Sequence, residues 1–388
     1  MKTNIIIFVI ILIHKFYCIQ LFGVQQDIDE SDQEDLVIQR RNSVNPVILV
    51  PGLGGSRLDF KSKSSSSSKY DTLWLALWDS AFHTSWIKNV SVIFNSSSNQ
   101  FQSQPDLDVR PVDFGGVDGI SIIAPALPIP SESGYYDKLV SSLKKAGYTV
   151  GQNLFGIPFD FRIMNPQQLV KSGVYEQVKR IVEKAYIMNG NKRVHFIGHS
   201  EGCSFVHNLL IDYINDTSWN DKYISSLNLV SPVFGGAVTA LAFATGPKKW
   251  VVPWLSGDKT YEMVKNFAAT VEIVTEKNMN KEEATSTIYQ VSVKNLTWLF
   301  DSTGRQDQST TLKYMQTYVN KPPKAPGIKV NLHYGFDSQS EQNELNNKDL
   351  DYWWMTEGKE INGEGDGTVN LQSLKEMEVG VKIGSYLD

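Results

Sequence analysis

Cysteine is nearly absent from this chain of 388 residues. Of its two cysteines, Cys18 lies in an N-terminal segment that we expect to be removed, which leaves Cys203 and no internal disulfide. The chain also lacks a strong excess of charge of either sign. Its 37 basic and 42 acidic residues give a net charge of -5, which argues against a nucleic-acid-binding surface. No segment after residue 13 approaches the ~20 apolar residues needed to cross a bilayer, so we expect a mature protein that is soluble or peripheral.

The N-terminus has the features of an export signal. Lys2 supplies a positive charge, and the nine residues from Ile5 to Ile13 are all apolar. As a helix they would reach only about 14 Å, which is too short to span a bilayer. We predict a cleaved signal peptide at 1–20 and a polar, flexible leader at 21–45, with an uncleaved signal anchor as the alternative.

Four sequons for N-glycosylation are consistent with export. They begin at Asn89, Asn95, Asn215 and Asn295. Together with the signal peptide they predict a glycoprotein of the secretory pathway, either secreted or lysosomal (vacuolar).

Most of the chain alternates between strand and helix patterns. The β-branched, apolar run Val47–Val50 is followed by a Gly-rich turn. Strand patterns recur at 193–197, 225–230 and 328–333, and apolar residues at helical spacing predict helices at 139–146, 174–185 and 204–214. This alternation predicts an α/β fold, with a mostly parallel sheet and helices on both faces.

Two regions interrupt the alternation, a Trp-rich stretch within 59–115 and a long mixed stretch at 235–324. We predict that both are insertions in a core made of 46–234 and 325–388. In open α/β sheets such insertions lie above the carboxyl ends of the strands, where ligands bind.

One pentapeptide matches the G-x-S-x-G nucleophile elbow, a sharp turn between a strand and a helix. It reads Gly198-His199-Ser200-Glu201-Gly202. Glycine is needed at both ends because a side chain there would collide with neighbouring backbone. The predicted strand before it and helix after it favour Ser200 as a nucleophile over an idle serine in a structural turn.

Acyl transfer also needs hydrogen-bond donors for the oxyanion of the tetrahedral intermediate. The backbone N–H of Glu201 is one candidate, and its carboxylate is expected to point away from the developing negative charge. The Leu53 N–H, in the turn Pro51-Gly52-Leu53-Gly54-Gly55, is the second. The alternative for this segment is a plain Gly-rich turn.

The acid of a catalytic triad follows the nucleophile in folds with this elbow, and Asp366 fits, between Gly365 and Gly367. An ordinary Asp-Gly turn is the alternative. A histidine should come after the acid, but all six histidines precede Asp366, at positions 14, 83, 195, 199, 207 and 333. Each of these is expected to be structural. We predict no metal and no cofactor.

Five segments in this order resemble the lecithin:cholesterol acyltransferase family, which includes lysosomal phospholipase A enzymes and has the α/β-hydrolase fold. The resemblance covers roughly residues 44–380 and is carried by residues 47–52 (VILVPG), 158–162 (PFDFR), 198–202 (GHSEG), 231–236 (SPVFGG) and 365–370 (GDGTVN). In the family the last of these segments surrounds the catalytic acid, which favours Asp366.

The resemblance implies a phospholipid acyl hydrolase or O-acyltransferase that acts at a lipid surface through an acyl-enzyme on Ser200. It also implies that 59–115 is a lid and 235–324 a cap. Trp74, Trp78 and Trp86 in the lid would then contact lipid, since Trp favours membrane interfaces. That these rings simply pack on the core is the alternative.

The chain departs from the family at several points. It has no cysteine for the lid disulfide of animal members, it has Glu201 where an apolar residue is usual, and no histidine follows Asp366. Truncation of the sequence is favoured over true loss of that histidine. Two other functions stay open: a catalytically inactive lipid-binding protein, and a lipase for neutral lipids or sterol esters.

Overall fold

A parallel sheet of five strands forms the centre of the fold. The computed structural model describes residues 44–76, 84–126, 133–237, 240, 243, 252, 255–268, 296–302, 304–319, 324–335, 338–345 and 359–366. The predicted signal peptide at 1–20, most of the leader at 21–45, Trp78 and Asn295 lie outside the described residues.

Twelve strands lie in these ranges. They are β1 (Val47–Val50), β2 (Leu58–Ser62), β3 (Asp71–Trp74), β4 (Ile93–Asn95), β5 (Gln100–Gln102), β6 (Leu107–Pro111), β7 (Leu154–Gly156), β8 (Val194–His199), β9 (Ile224–Val230), β10 (Val330–His333), β11 (Ser338–Leu345) and β12 (Lys359–Gly365).

The helices of the same ranges are mostly short. They are α1 (Thr84–Val90), α2 (Asp118–Ser121), α3 (Asp137–Lys145), α4 (Pro166–Lys171), α5 (Val174–Met188), α6 (Glu201–Asn208), α7 (Thr217–Tyr223), α8 (Gly257–Val264), α9 (Leu296–Ser302) and α10 (Gln306–Val319). Among them, none has the length and apolar character to cross a bilayer.

The central sheet has the order β10-β9-β8-β1-β7, and every neighbouring pair is parallel. This confirms the prediction of a mostly parallel α/β sheet. Antiparallel pairing occurs outside it, in the sheet β3-β2-β6 and in the hairpins β4-β5 and β11-β12. The first two of these lie largely inside the predicted insertion at 59–115, whose limits stay a prediction.

Strand β1 is buried on both faces, as expected for a central parallel strand. Its side chains alternate between two apolar clusters. Ile48 and Val50 join the larger cluster, which contains Val178 of α5 and Phe205 of α6. Val47 and Leu49 join the smaller one with residues of α3. Helices therefore cover both faces of the sheet at this strand.

Most predicted elements have the expected position, but the helix predicted at 204–214 is different. The helix α6 begins three residues earlier, at Glu201, because the turn from β8 takes place within a single residue, Ser200. It ends at Asn208, and Leu209–Ile214 continues as a π-helix. Apolar spacing alone does not distinguish a π-helix from an α-helix, since both bury one face of the segment.

Arg162 joins the predicted insertion at 59–115 to the segment that follows β7. Its guanidinium is fully buried and forms a 2.7 Å ion pair with Asp160. It also donates hydrogen bonds to the carbonyl oxygens of Asn89 and Val90 at the end of α1, and to the Ser103 hydroxyl before β6. Asp160 and Arg162 therefore form a structural ion pair.

We predict that Arg162→Ala destabilises the fold by about 3–5 kcal/mol, because it leaves a partly buried carboxylate and three acceptors without their donor. Urea denaturation gives the free energy of unfolding. Arg180→Ala is the matched control, since Arg180 pairs with Glu176 on the surface and should contribute less than about 0.5 kcal/mol. Equal effects of the two substitutions would contradict the structural role of Arg162.

Candidate active site

Ser200 occupies the single-residue turn between β8 and α6. Its backbone has φ 55° and ψ -123°, a conformation that residues other than glycine rarely adopt. The turn is held by the Ser200 N–H, which donates to Val230 O at 2.9 Å, and by the Cys203 N–H, which donates to Ser200 O at 3.0 Å. This strained geometry is that of a nucleophile elbow.

Both glycines of the elbow are required by close backbone contacts. A Cβ on Gly198 would lie 2.9 Å from Gly202 O. A Cβ on Gly202 would lie 2.4 Å from the carbonyl oxygens of Val50 and Pro51. The second contact fixes α6 against the end of β1, so the Gly-rich turn after β1 is held beside Ser200.

The turn after β1 reaches the nucleophile directly. A Cβ on Gly52 would lie 2.7 Å from Ser200 Cβ and 3.1 Å from Ser200 Oγ. The next residue, Leu53, is half-buried, and its N–H donates to no acceptor within the described ranges. The Leu53 N–H, one residue from this contact, is therefore compatible with its predicted role as an oxyanion donor.

Glu201 is the first residue of α6, where the N–H has no acceptor within its own helix. Its side chain is fully buried at 0% exposure. Nothing in the sequence indicates this burial, because the residue after the nucleophile can face either solvent or core. The Glu201 carboxyl lies close enough to Tyr135 for its charge to raise the pKa of that phenol, after the larger effect of burial.

Asp366 reaches the same edge of the sheet from a distant part of the chain. It follows the hairpin β11-β12 and lies against Gly335, where a Cβ would be 3.5 Å from Asp366 Cβ. Gly335 follows β10, and the Ser231 N–H at the end of β9 donates to His333 O. The elbow and the predicted acid therefore lie at one edge, with the end of β9 between β8 and β10.

Three of the histidines have structural partners. His195 Nδ1 is 2.7 Å from the Ser226 hydroxyl, and His207 Nε2 donates to Lys324 O at 2.8 Å. His199 Nδ1 forms a short hydrogen bond with the Tyr135 hydroxyl. His333 lies at the exposed end of β10, and His14 and His83 are outside the described residues.

The predicted lipid contact of Trp74 and Trp86 does not agree with their positions. Their exposures are 1% and 3%, and their rings stack with centroids 6.1 Å apart. Trp86 Nε1 donates to Leu73 O, and Trp74 Nε1 donates to Gly54 O in the turn beside Ser200. Both rings belong to the core, because an indole with a satisfied N–H is stable there.

Three of the four predicted glycosylation sites are described. Asn215 is exposed at the end of the π-helix, and Asn89 and Asn95 are half-buried. The Asn95 side-chain oxygen accepts from the N–H groups of Ser97 and Ser98, and the side-chain nitrogen takes no part in these two hydrogen bonds. Glycosylation at all four sites stays a prediction.

Tyr135 is the residue at this site that the sequence did not identify. Its hydroxyl accepts a 2.8 Å hydrogen bond from the Gly52 N–H, although the two residues are 83 positions apart. A tyrosine just before a helix carries no pattern of its own, so only the tertiary structure connects it with the Gly-rich turn.

We predict that Gly52→Ala lowers the reactivity of Ser200 towards a fluorophosphonate by at least about 100-fold. The new methyl group would overlap Ser200 Cβ and displace the turn that holds the predicted oxyanion donor. The rate constant of labelling measures this loss.

Gly151→Ala is the control for backbone strain. Gly151 has φ 78° and open space around its Cα, so alanine costs about 1–2 kcal/mol in stability without touching the site. Normal reactivity of Gly52→Ala would show that the turn after β1 has no role at Ser200.

Comparison with known proteins gives a consistent result. The sequence profile of the lecithin:cholesterol acyltransferase family matches residues 70–321. A mouse phosphatidylcholine-sterol acyltransferase is 28% identical over 232 residues, which are 57% of this chain and 51% of that protein. This chain therefore spans about half the length of the mouse and rat acyltransferases that it matches.

Two further relatives match over more of their length. A bovine lysosomal phospholipase A and acyltransferase is 25% identical over 342 residues, 84% of this chain and 81% of that protein. The lecithin-cholesterol acyltransferase-like 1 of Arabidopsis thaliana is 26% identical over 372 residues, with shares of 87% and 83%. A chain in the crystal structure of the Tle4-Tli4 complex matches with a TM-score of 0.46 and 12% identity, over 87% of this chain and 90% of that one.

The family profile covers more than half of the chain and includes the elbow. The strand at 47–50, the turn after it and the elbow, which carried part of the resemblance in the sequence, lie in the fold where an α/β-hydrolase requires them. This chain belongs to the lecithin:cholesterol acyltransferase family.

Proposed function

We propose that this protein transfers acyl groups from glycerophospholipids, to water or to a lipid alcohol, through an acyl-enzyme on Ser200. The observation that supports this most strongly is the contact between Gly52 and a serine held in a strained elbow. A structural turn has no need for a strained serine beside a Gly-rich loop, whereas acyl transfer needs both a raised nucleophile and backbone donors near it.

The reaction has two halves. In the first, Ser200 Oγ attacks the ester carbonyl carbon, and the carbonyl oxygen becomes an oxyanion that accepts hydrogen bonds from the N–H groups of Leu53 and Glu201. The C–O bond then breaks, and the lysophospholipid leaves with the proton that Ser200 lost. In the second half, water or a lipid alcohol attacks the acyl-enzyme, releases a fatty acid or a new ester, and returns the proton to Ser200.

In this scheme Asp366 orients the histidine that moves the proton and stabilises its charged form. In the family this histidine follows the acid, whereas all six histidines of this chain precede Asp366. His195, His199 and His207 each use a ring nitrogen for a structural hydrogen bond, which does not favour them as the base. The test must therefore also determine the C-terminal sequence.

The substrate class comes from the relatives. Their names give a phosphatidylcholine-sterol acyltransferase and a lysosomal phospholipase A and acyltransferase. We extend to this chain what these names share, an acyl donor of the phospholipid class. We propose in addition that the protein meets this donor at a lipid surface. We also propose a location in the secretory pathway, secreted or lysosomal.

The experiment is labelling of the protein, purified from its natural source, with a fluorophosphonate, followed by peptide mapping. We expect the label on Ser200 and a loss of at least about 1000-fold in Ser200→Ala. Ser204→Ala is the matched control, because Ser204 is buried one turn further along the same helix and should not affect labelling. Mass spectrometry of the same sample gives the C-terminal sequence.

Vesicles of phosphatidylcholine with a lipid alcohol then identify the substrate. Release of fatty acid together with a new ester supports the proposal. Preferential cleavage of triacylglycerol or sterol ester supports a neutral-lipid lipase instead. A folded protein that binds vesicles and leaves Ser200 unlabelled would be an inactive lipid-binding protein.

A further inference from the structure

Tyr135 connects the two halves of the candidate site. Its hydroxyl oxygen accepts from the Gly52 N–H in the turn after β1 and is hydrogen-bonded to His199 Nδ1 at the end of β8. Its own backbone is held by the Tyr135 N–H, which donates to Ser121 O at 2.7 Å, and its ring packs edge-on against Tyr136. One side chain thus joins the turn beside Ser200 to the residue that precedes Ser200.

The direction of each hydrogen bond follows from the number of protons. The Gly52 N–H can only donate, so the phenol oxygen accepts there. The phenol oxygen could also accept from His199 Nδ1, but its own proton would then be buried with no acceptor among the described residues. Donation of the phenolic proton to an unprotonated His199 Nδ1 satisfies both groups and is therefore the favoured direction. The neutral imidazole of His199 therefore has its proton on Nε2, and the chain of bonds is Gly52 N–H to Tyr135 O–H to His199 Nδ1.

The charges around these groups preserve this arrangement. Burial raises the pKa of Tyr135, and the nearby Glu201 carboxylate raises it further. The hydrogen bond from the Gly52 N–H acts in the opposite direction but is outweighed by burial, so the phenol keeps its proton. Burial lowers the pKa of His199 to about 4, although Asp366 acts in the opposite direction. Tyr136 lies beside Tyr135 with its own pKa raised by burial. The hydrogen bonds should therefore persist from neutral pH down to about pH 4.

Three further contacts hold the Gly-rich turn in place. Gly55 packs on the Tyr135 ring so closely that a Cβ would be 2.5 Å from it. The Gly55 N–H donates to Gly52 O, and Gly54 O accepts from Trp74 Nε1. Because the Gly52 N–H is used by Tyr135, it is not available to an oxyanion, whereas the Leu53 N–H is.

We propose that Tyr135 is a positioning residue of the acyl-transfer site, which holds the Leu53 N–H beside Ser200 by binding both the Gly52 N–H and His199. This inference rests on the proposed function. Tyr135 touches no reacting atom in this scheme. Because Tyr135 accepts the Gly52 N–H, the neighbouring Leu53 N–H is the donor of this turn that stays available to the oxyanion.

Two measurements on Tyr135→Phe test this. Hydrogen exchange of the Gly52 amide should become at least about tenfold faster, because the substitution removes the acceptor of that N–H. The rate constant for labelling of Ser200 by a fluorophosphonate should fall by about 10- to 100-fold, less than the roughly 10²–10³ expected for loss of an oxyanion donor, because the donor is displaced and not removed. Binding to phosphatidylcholine vesicles should not change.

Tyr148→Phe is the matched control. Tyr148 packs against the same smaller apolar cluster, and its hydroxyl has no hydrogen-bond partner within the described residues. The substitution therefore also removes a phenolic oxygen, but it should leave both the Gly52 exchange rate and the labelling rate at the wild-type values.

Variants of His199 separate positioning from simple packing. His199→Gln keeps an acceptor for the Tyr135 proton and should retain most of the labelling rate, whereas His199→Leu removes the acceptor and should behave like Tyr135→Phe. In the wild type, protonation of Nδ1 removes the acceptor of the Tyr135 proton and disturbs the position of the phenol, so the Gly52 amide should exchange faster below about pH 4 than above it. This pH step should disappear in His199→Gln.

Unchanged exchange of Gly52 in Tyr135→Phe would overturn the inference, even if labelling fell, because the loss would then come from another route. Unchanged labelling with faster exchange would overturn it as well. Wild-type protein without label on Ser200 would instead refute the proposed function, while the exchange rates and their pH step would still decide whether Tyr135 holds the turn. A melting temperature for each variant shows whether it is folded. If Tyr135→Phe does not fold, the pH dependence of Gly52 exchange in His199→Gln still tests the inference.

Discussion

The close approach of two backbone segments, the turn after β1 and the elbow after β8, determines the geometry of the candidate site. Gly202 lies where a methyl group would overlap Val50 O and Pro51 O, and Gly52 lies similarly close to Ser200. Backbone atoms in such contact cannot move independently, so the strain at Ser200 is supported by the central strands of the sheet. The hydrogen bonds that Tyr135 and Trp74 form with this turn also fix its orientation relative to the elbow.

The parallel sheet brings the remaining group to the same place. Strands that run in one direction end at one edge, and the ends of β8, β9 and β10 follow one another along it. Asp366 joins this edge although the hairpin β11-β12 separates it from β10 in the chain, because it packs against Gly335, which lies just after β10. Position in the sheet, more than position in the sequence, brings the predicted acid towards the nucleophile.

Local patterns made the central elements predictable. The glycine spacing around Ser200, the apolar strands and the amphipathic helices depend on neighbouring residues, and these predictions agree with the fold. Contacts between distant segments were not predictable: the pairing of Tyr135 with Gly52 and His199 and the burial of Glu201 depend on the completed fold. Trp74 and Trp86 were assigned to a lipid surface because tryptophan suits both an interface and a core, and composition does not distinguish the two.

Arg162 has a mechanical consequence for the region between β2 and β6. Its guanidinium holds the end of α1 and Ser103 to the segment that contains Asp160, deep in the protein. A region that is held to the core by a buried ion pair and three hydrogen bonds cannot move away from it as one rigid unit. Any movement of this region must therefore hinge near the contacts of Arg162, and the segments on either side of these contacts would move most.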